Sequence, residues 1–156
     1  MSYFNPSEIY QFAIKIEENG EKFYNNMAKK FKDNKISTLF IKLAKEEVGH
    51  GEYFNKLLSG FEDYSPTESY QGEYLQYLKA YADNLVFNFE NFDKEVANIK
   101  TLEDAFQFAI KKEIDTVAYF REMKCLVPDG EKDKIETIIE EERRHVVLLT
   151  ETRLNY

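Results

Sequence analysis

Residues 43–54 read "LAKEEVGHGEYF", and residues 139–149 read "IEEERRHVVLL". The chain has only two histidines, His50 and His145, and each stands three positions after a glutamate, Glu47 and Glu142. In a helix that spacing puts both side chains on one face, one turn apart. Ile36, Phe40, Leu43, Phe54 and Leu57 continue the first row in steps of four and three. Ile135, Ile138 and Leu149 continue the second. Rows of that period form the buried face of an amphipathic helix. Both Glu–His pairs are therefore expected on the core side of long helices. The neighbouring acids Glu46, Glu140 and Glu141 fall off the rows and read as solvated faces.

Outward from these stretches, turn signals are scarce, with six glycines and three prolines, and they divide the chain cleanly. "NPSE" at 5–8 offers Asn5 as N-cap, Pro6 at the first helical position and Glu8 at the third. "KDNK" at 32–35 breaks the first helix and "SG" at 59–60 stops the second. Thr101 of "TLED" caps the third, and "PDG" at 128–130 is a turn. The pattern predicts long helices over residues 6–31, 36–58, 102–126 and 132–153, each roughly 35 Å long. Tight turns join them into two antiparallel hairpins. The aromatic-rich connection over residues 60–100, with a short helix of its own, is long enough to cross a bundle. The expected fold is all-α: a four-helix bundle of two antiparallel hairpins joined by a long crossover, in one domain over residues 1–156.

The two remaining long helices carry matching rows. Ala13, Glu17, Gly20, Tyr24, Met27 and Phe31 line one face of the first; Leu102, Phe106, Ala109, Glu113, Thr116 and Phe120 line one face of the third. Each row holds one glutamate near its middle. "AIKIEENGEKFY" at 13–24 aligns with "AFQFAIKKEIDTVAYF" at 105–120, and places Glu17 over Glu113. Glu17 and Glu47 are 30 residues apart, Glu113 and Glu142 are 29 apart, so the hairpins are copies of one unit. Glu18 competes with Glu17 for the inward place. Glu17 is preferred because its row is the more apolar and because it pairs with Glu113 in the repeat. Tyr24 lies two turns beyond Glu17, where its hydroxyl can reach a carboxylate in the core. Cys125, near a helix end, reads as a small hydrophobe.

Four carboxylates and two imidazoles are thus aimed into one core. A buried, unpaired carboxylate costs several kcal/mol or is neutralised by a shifted pKa. Four together stay ionised only with cations among them, and two divalent ions balance the charge. Hard carboxylate oxygens with one imidazole per metal suit iron or manganese.

Composition excludes other classes. At 156 residues, 43% hydrophobic and 32% charged, the chain reads as globular. No apolar run approaches the roughly 18–20 residues of a membrane span. A net charge of −8 argues against nucleic acid. One cysteine excludes an internal disulfide and a cysteine-rich metal site, and with no secretion signal at "MSYFNPSEIYQF" the expected compartment is the cytoplasm.

These motifs resemble the ferritin-like di-iron carboxylate superfamily and, within it, the rubrerythrin family. The matches are "EENGEKFY" at 17–24, "LAKEEVGHGEYF" at 43–54, "AIKKEIDTVAYF" at 109–120 and "IEEERRHVVLL" at 139–149. The resemblance implies two iron ions, with manganese or a mixed pair as variants and zinc as a substitute in a crystal. It implies Glu17, Glu47, His50, Glu113, Glu142 and His145 as ligands, Glu47 and Glu142 bridging and Glu17 and Glu113 terminal, with Tyr24 supporting a ligand carboxylate. It also implies a homodimer. Full-length rubrerythrins end in a rubredoxin module with two cysteine pairs; this chain has none, so electrons are expected from an external donor protein. The family's extra glutamate, one turn after the third-helix ligand, is here Thr116, and the repeat partner of Tyr24 is Phe120. Two function classes stay open on the sequence. One is an oxidoreductase acting on peroxide, dioxygen or ferrous iron. The other is a non-catalytic metal-binding or iron-handling protein with a structural or storage role.

Overall fold

The computed structural model describes residues 6–60, 72–84 and 91–156. Six α-helices run in the order α1 (Pro6–Lys30), α2 (Asn34–Ser59), α3 (Gly72–Asn84), α4 (Phe92–Ala97), α5 (Leu102–Lys124) and α6 (Lys132–Leu154). A short 3-10 turn, Asp129–Glu131, precedes α6, and the described residues contain no strand. The four long helices and two hairpins are those the periodicity predicts. The crossover differs: its described residues carry two helices, α3 and α4, where the sequence reading expects one.

Helix ends follow from local chemistry. Asp33 caps α2, its carboxylate accepting from the Lys35 and Ile36 backbone N–H groups at 3.0 and 3.2 Å. That cap starts α2 earlier than the "KDNK" break suggests. Thr101 and Asp104 form a reciprocal capping box at the start of α5, with bonds of 3.1 and 3.0 Å. The expected cap at Asn5 lies outside the described residues. Gly60 ends α2 with an ordinary negative φ of −86°. Cys125, read as a small hydrophobe near a helix end, caps the end of α5 and is exposed.

α1 packs along α2, α5 packs along α6, and α1 meets α5. The buried side chains divide into two apolar layers. One contains Ala13, Ile16, Phe54, Tyr119, Phe120, Ile135 and Ile138, with Leu78 and Ala82 of α3. The other contains Phe23, Tyr24, Met27, Phe40, Leu43, Phe106, Ala109 and Leu149, with Phe92 of α4. A Lys22–Asp93 ion pair of 2.7 Å ties α4 to α1. The polar residues of the interior fall between these layers in sequence on every long helix, so each side of the polar zone is closed by hydrocarbon.

Candidate metal centre

Each long helix delivers its glutamate to that polar zone. Glu17 on α1, Glu47 on α2, Glu113 on α5 and Glu142 on α6 are all at most 1% exposed, and His50 and His145 are 5% and 3% exposed. Their donor atoms fall into two groups. One is Glu17, Glu47, His50 and Glu142; the other is Glu47, Glu113, Glu142 and His145. Within each group the ligand atoms lie within 4.8 Å of one another. Glu47 and Glu142 belong to both. The two imidazole rings lie nearly parallel, with centroids 6.1 Å apart. Glu18, the rival of Glu17, faces solvent and pairs with Lys15 at 3.9 Å.

The protein alone leaves this zone poorly satisfied. Both oxygens of Glu17, both of Glu142, one each of Glu47 and Glu113, and Nδ1 of both histidines lack hydrogen-bond partners. His50 Nδ1 and His145 Nδ1 each lie 2.9 Å from a Glu142 oxygen, close in distance but off the direction of a hydrogen bond. Buried polar atoms are almost always paired, so a cluster of unpaired ones with inward lone pairs fits a pair of cations. Oxygen-rich donor sets with one imidazole each match hard or borderline divalent ions such as iron and manganese.

Charge distribution follows from burial and neighbours. Burial, reinforced by the Glu142 charge, pushes the Glu17 carboxyl up to about 7. Burial and Glu142 likewise hold Glu47 well above the ordinary range. Burial works against the Glu142 carboxylate too, but His145 and His50 outweigh it and keep its pKa low. Burial disfavours both imidazolium ions, yet Glu142 and Glu17 push His50 up to about 12, and Glu113 and Glu142 do the same for His145. Without metal the zone is held together by protons on its histidines and on some of its carboxyls.

Two carboxylates expected on solvated faces are not idle there. The outer nitrogen of His50, Nε2, donates to Glu141 Oε2 at 2.6 Å, and Nε2 of His145 donates to Glu46 Oε2 at 2.6 Å. Each glutamate reaches across from the helix of the other repeat. This fixes the ring orientation and leaves Nδ1 to face the carboxylates. The signal was present in the sequence, since both repeats read Glu-Glu-x-x-His. It was missed because the first glutamate of each pair lies off the apolar row. Glu140 is exposed, as expected. Glu46 and Glu141 stand in a groove of about 550 Å³ between α2 and α6, which Lys42, Lys134 and Arg144 also line.

The inner site is not symmetric. The Tyr24 hydroxyl donates to Glu113 Oε1, across the bundle from its own helix. Its repeat counterpart Phe120 packs in the apolar layer against Phe54, with the rings tilted and 5.0 Å between centroids, and has no hydroxyl to offer Glu17. Thr116 turns its hydroxyl back onto the Lys112 carbonyl at 2.9 Å. Lys112 itself is buried, with its ammonium 3.5 Å from Glu47 Oε2. Sequence reasoning missed it, although Ala105, Lys112 and Tyr119 form a buried row at heptad spacing beside the main one.

Fold and site together define a ferritin-like helical bundle with a buried carboxylate–histidine cluster. The sequence matches the Rubrerythrin family over residues 8–152, and the chain belongs to that family. A Thermotoga maritima chain assigned as a ferritin-like diiron-carboxylate protein, known from a crystal structure, is 24% identical. It superposes with a TM-score of 0.69, covering 98% of this chain and 97% of that one. No curated protein sequence matches.

Proposed function

We propose that this protein is a di-iron carboxylate oxidoreductase that reduces peroxide or dioxygen with electrons from an external donor protein. The observation that carries the reading is the pair of four-residue donor groups sharing Glu47 and Glu142. Glu17 and His50 would complete one position, Glu113 and His145 the other. Bound there, two iron ions supply the two electrons that reduction of a peroxide O–O bond requires. The protein's own part is to orient and to exclude water. Glu141 and Glu46 hold the imidazoles, Tyr24 holds Glu113, and aromatic layers close the site on either side. Iron is favoured over manganese by the family's chemistry, and a cytoplasmic setting by the single, unpaired cysteine.

The test is a rapid-mixing experiment. The chain is loaded anaerobically with two equivalents of ferrous iron and mixed with hydrogen peroxide, and the ferric absorbance is followed. Oxidation of the iron pair within seconds, restored by a reductant for repeated cycles, is the expected result. Oxidation no faster than that of free ferrous iron would instead support a structural or iron-handling role.

A further inference from the structure

The two hairpins face each other along two seams, and the crossover covers only one. It lies over the seam between α1 and α5: α3 packs on α5, and α4 sets Phe92 against Phe108 of α5 and Asp93 against Lys22 of α1. On the other side α2 and α6 do not pack along each other as the hairpin partners do, and among the described residues no other helix packs across the pair. The groove left there, about 550 Å³, has His50 and His145 at its floor. It runs on past Lys42 and Leu148 into a more open one of about 500 Å³ that ends at Asn34 and Lys35. From Asn34 to Tyr53 α2 spans about 28 Å at 1.5 Å per residue. That is the length of a protein contact rather than of a small molecule.

The seam differs in charge from the chain that carries it. The whole chain has a net charge of −8, yet Lys42, Lys134 and Arg144 line the deeper groove and Lys35 the more open one. The acids of the deeper groove, Glu46 and Glu141, are taken up by the histidine edges at 2.6 Å. Arg144 comes no nearer to Glu141 than 4.0 Å, and Lys134 lies over the Tyr53 ring at 5.7 Å. Tyr53, Ile138 and Leu148 supply apolar surface between the charges. The histidines decide what can pass inward. Each turns Nε2 to its glutamate at the groove and Nδ1 to the inner carboxylates. A molecule seated in the groove meets the outer edge of a ring and not the metal position. The rings, 5% and 3% exposed, bar atoms from crossing but carry electrons.

We propose that the α2–α6 seam is the docking surface for the acidic face of a one-electron donor protein, with electrons entering through His50 or His145. Lys35, Lys42, Lys134 and Arg144 pair with the donor's carboxylates. The proposal rests on the di-metal reading above and adds the surface and the charge of the partner. Each docking oxidises the donor by one electron and reduces one ferric ion to ferrous, so two dockings restore the pair after a two-electron turnover.

Flavodoxin, an acidic one-electron donor protein, is the probe. It is titrated into the isotope-labelled chain, zinc-loaded and metal-free, and amide shifts are followed by NMR. The shifts should map to α2 and α6 along the seam, and affinity should fall about tenfold between roughly 20 and 300 mM salt. Lys42→Glu combined with Lys134→Glu should bind about tenfold or more weakly and still hold two ions. Lys29→Glu combined with Lys94→Glu makes the same change of net charge at exposed positions of α1 and α4, and should stay within about threefold of wild type. In a second arm, reduction of the ferric-loaded chain by flavodoxin hydroquinone is followed by stopped flow, and its second-order rate should rank the variants in the same order. Shifts confined to other surfaces, no binding, equal binding by the two double variants, or an unchanged reduction rate in the Lys42→Glu, Lys134→Glu chain each overturn the proposal. So do seam shifts that follow the chain's own concentration, which would make a second copy the occupant. A chain that holds no metal pair defeats the di-metal reading, which the metal count alone reports, and the metal-free NMR arm then still accepts or rejects the docking surface.

Discussion

Glu46 and Glu141 show how much one residue's role depends on what stands opposite it. Both are partly exposed, and on their own helices both lie outside the apolar row. What recruits them is the outer nitrogen of a histidine on the opposite hairpin, 2.6 Å away in each case. A carboxylate in that place orients the ring and raises its basicity as a ligand, and loss of such a partner usually costs roughly 10–100-fold in metal affinity. Glu46→Gln should therefore weaken metal held by Glu113 and His145, and Glu141→Gln should weaken metal held by Glu17 and His50. Glu18→Ala and Glu140→Ala should change metal affinity by less than about twofold, since surface carboxylates in weak or no ion pairs contribute little. Competitive metal titration against a chromophoric chelator reads all four. Equal affinities for Glu46→Gln and Glu18→Ala would remove Glu46 from the site. The sequence carried the inward glutamates and histidines plainly, because apolar rows mark a buried face. It could not mark the carboxylates off the rows, or Lys112, because their roles are set by partners distant in sequence and by a glycine on another helix.

At the scale of the element, α1 and α5 are copies that have diverged where they meet the site. Glu17 and Glu113 keep the same place, but Gly20 faces Thr116 in the alignment and Tyr24 faces Phe120. Gly20 has the sharpest consequence. In an exposed helix, Gly→Ala gains about 1 kcal/mol from backbone entropy. Here the added methyl would press on Glu47 and Lys112 at once. Overpacking of this kind costs about 1–3 kcal/mol. Gly20→Ala should thus fail to stabilise the metal-free chain and should lower metal affinity, whereas Gly49→Ala, with open space around its Cβ, should raise the melting temperature. Thermal unfolding of both variants, with and without metal, checks the contrast. The helices themselves were legible from periodicity and turn residues, to within two or three positions at most ends. The start of α2 is less so, because "KDNK" reads as a break although its Asp33 is the cap. The second helix of the crossover, α4, is only six residues long, too short for a periodic pattern to reveal.

For the molecule as a whole, the buried cluster links stability, pH and metal. In the metal-free protein, Glu17 is raised to about 7 and both histidines to about 12, so the folded state holds protons that the unfolded chain releases earlier. The contribution of the histidines is complete below pH 6.5 and is lost as pH rises toward 12; that of Glu17 is lost between about 4.5 and 7. Glu142 acts oppositely, since its lowered pKa gives stability that disappears in acid. Stability of the metal-free chain should therefore be greatest in mild acid and fall steadily from about pH 5 to pH 9. Denaturant unfolding at several pH values measures this, and a rise across that range would contradict it. Metal reverses the trend, because ligands must shed their protons to bind, so affinity should climb with pH. The most direct test of the account is the number of ions bound and how it depends on the shared glutamates. Native mass spectrometry of the reconstituted chain should find two metal ions. Glu17→Ala or Glu113→Ala should leave one position occupied, and Glu47→Ala or Glu142→Ala should impair both. A single ion in the wild-type chain, or two ions retained in all four variants, would contradict it.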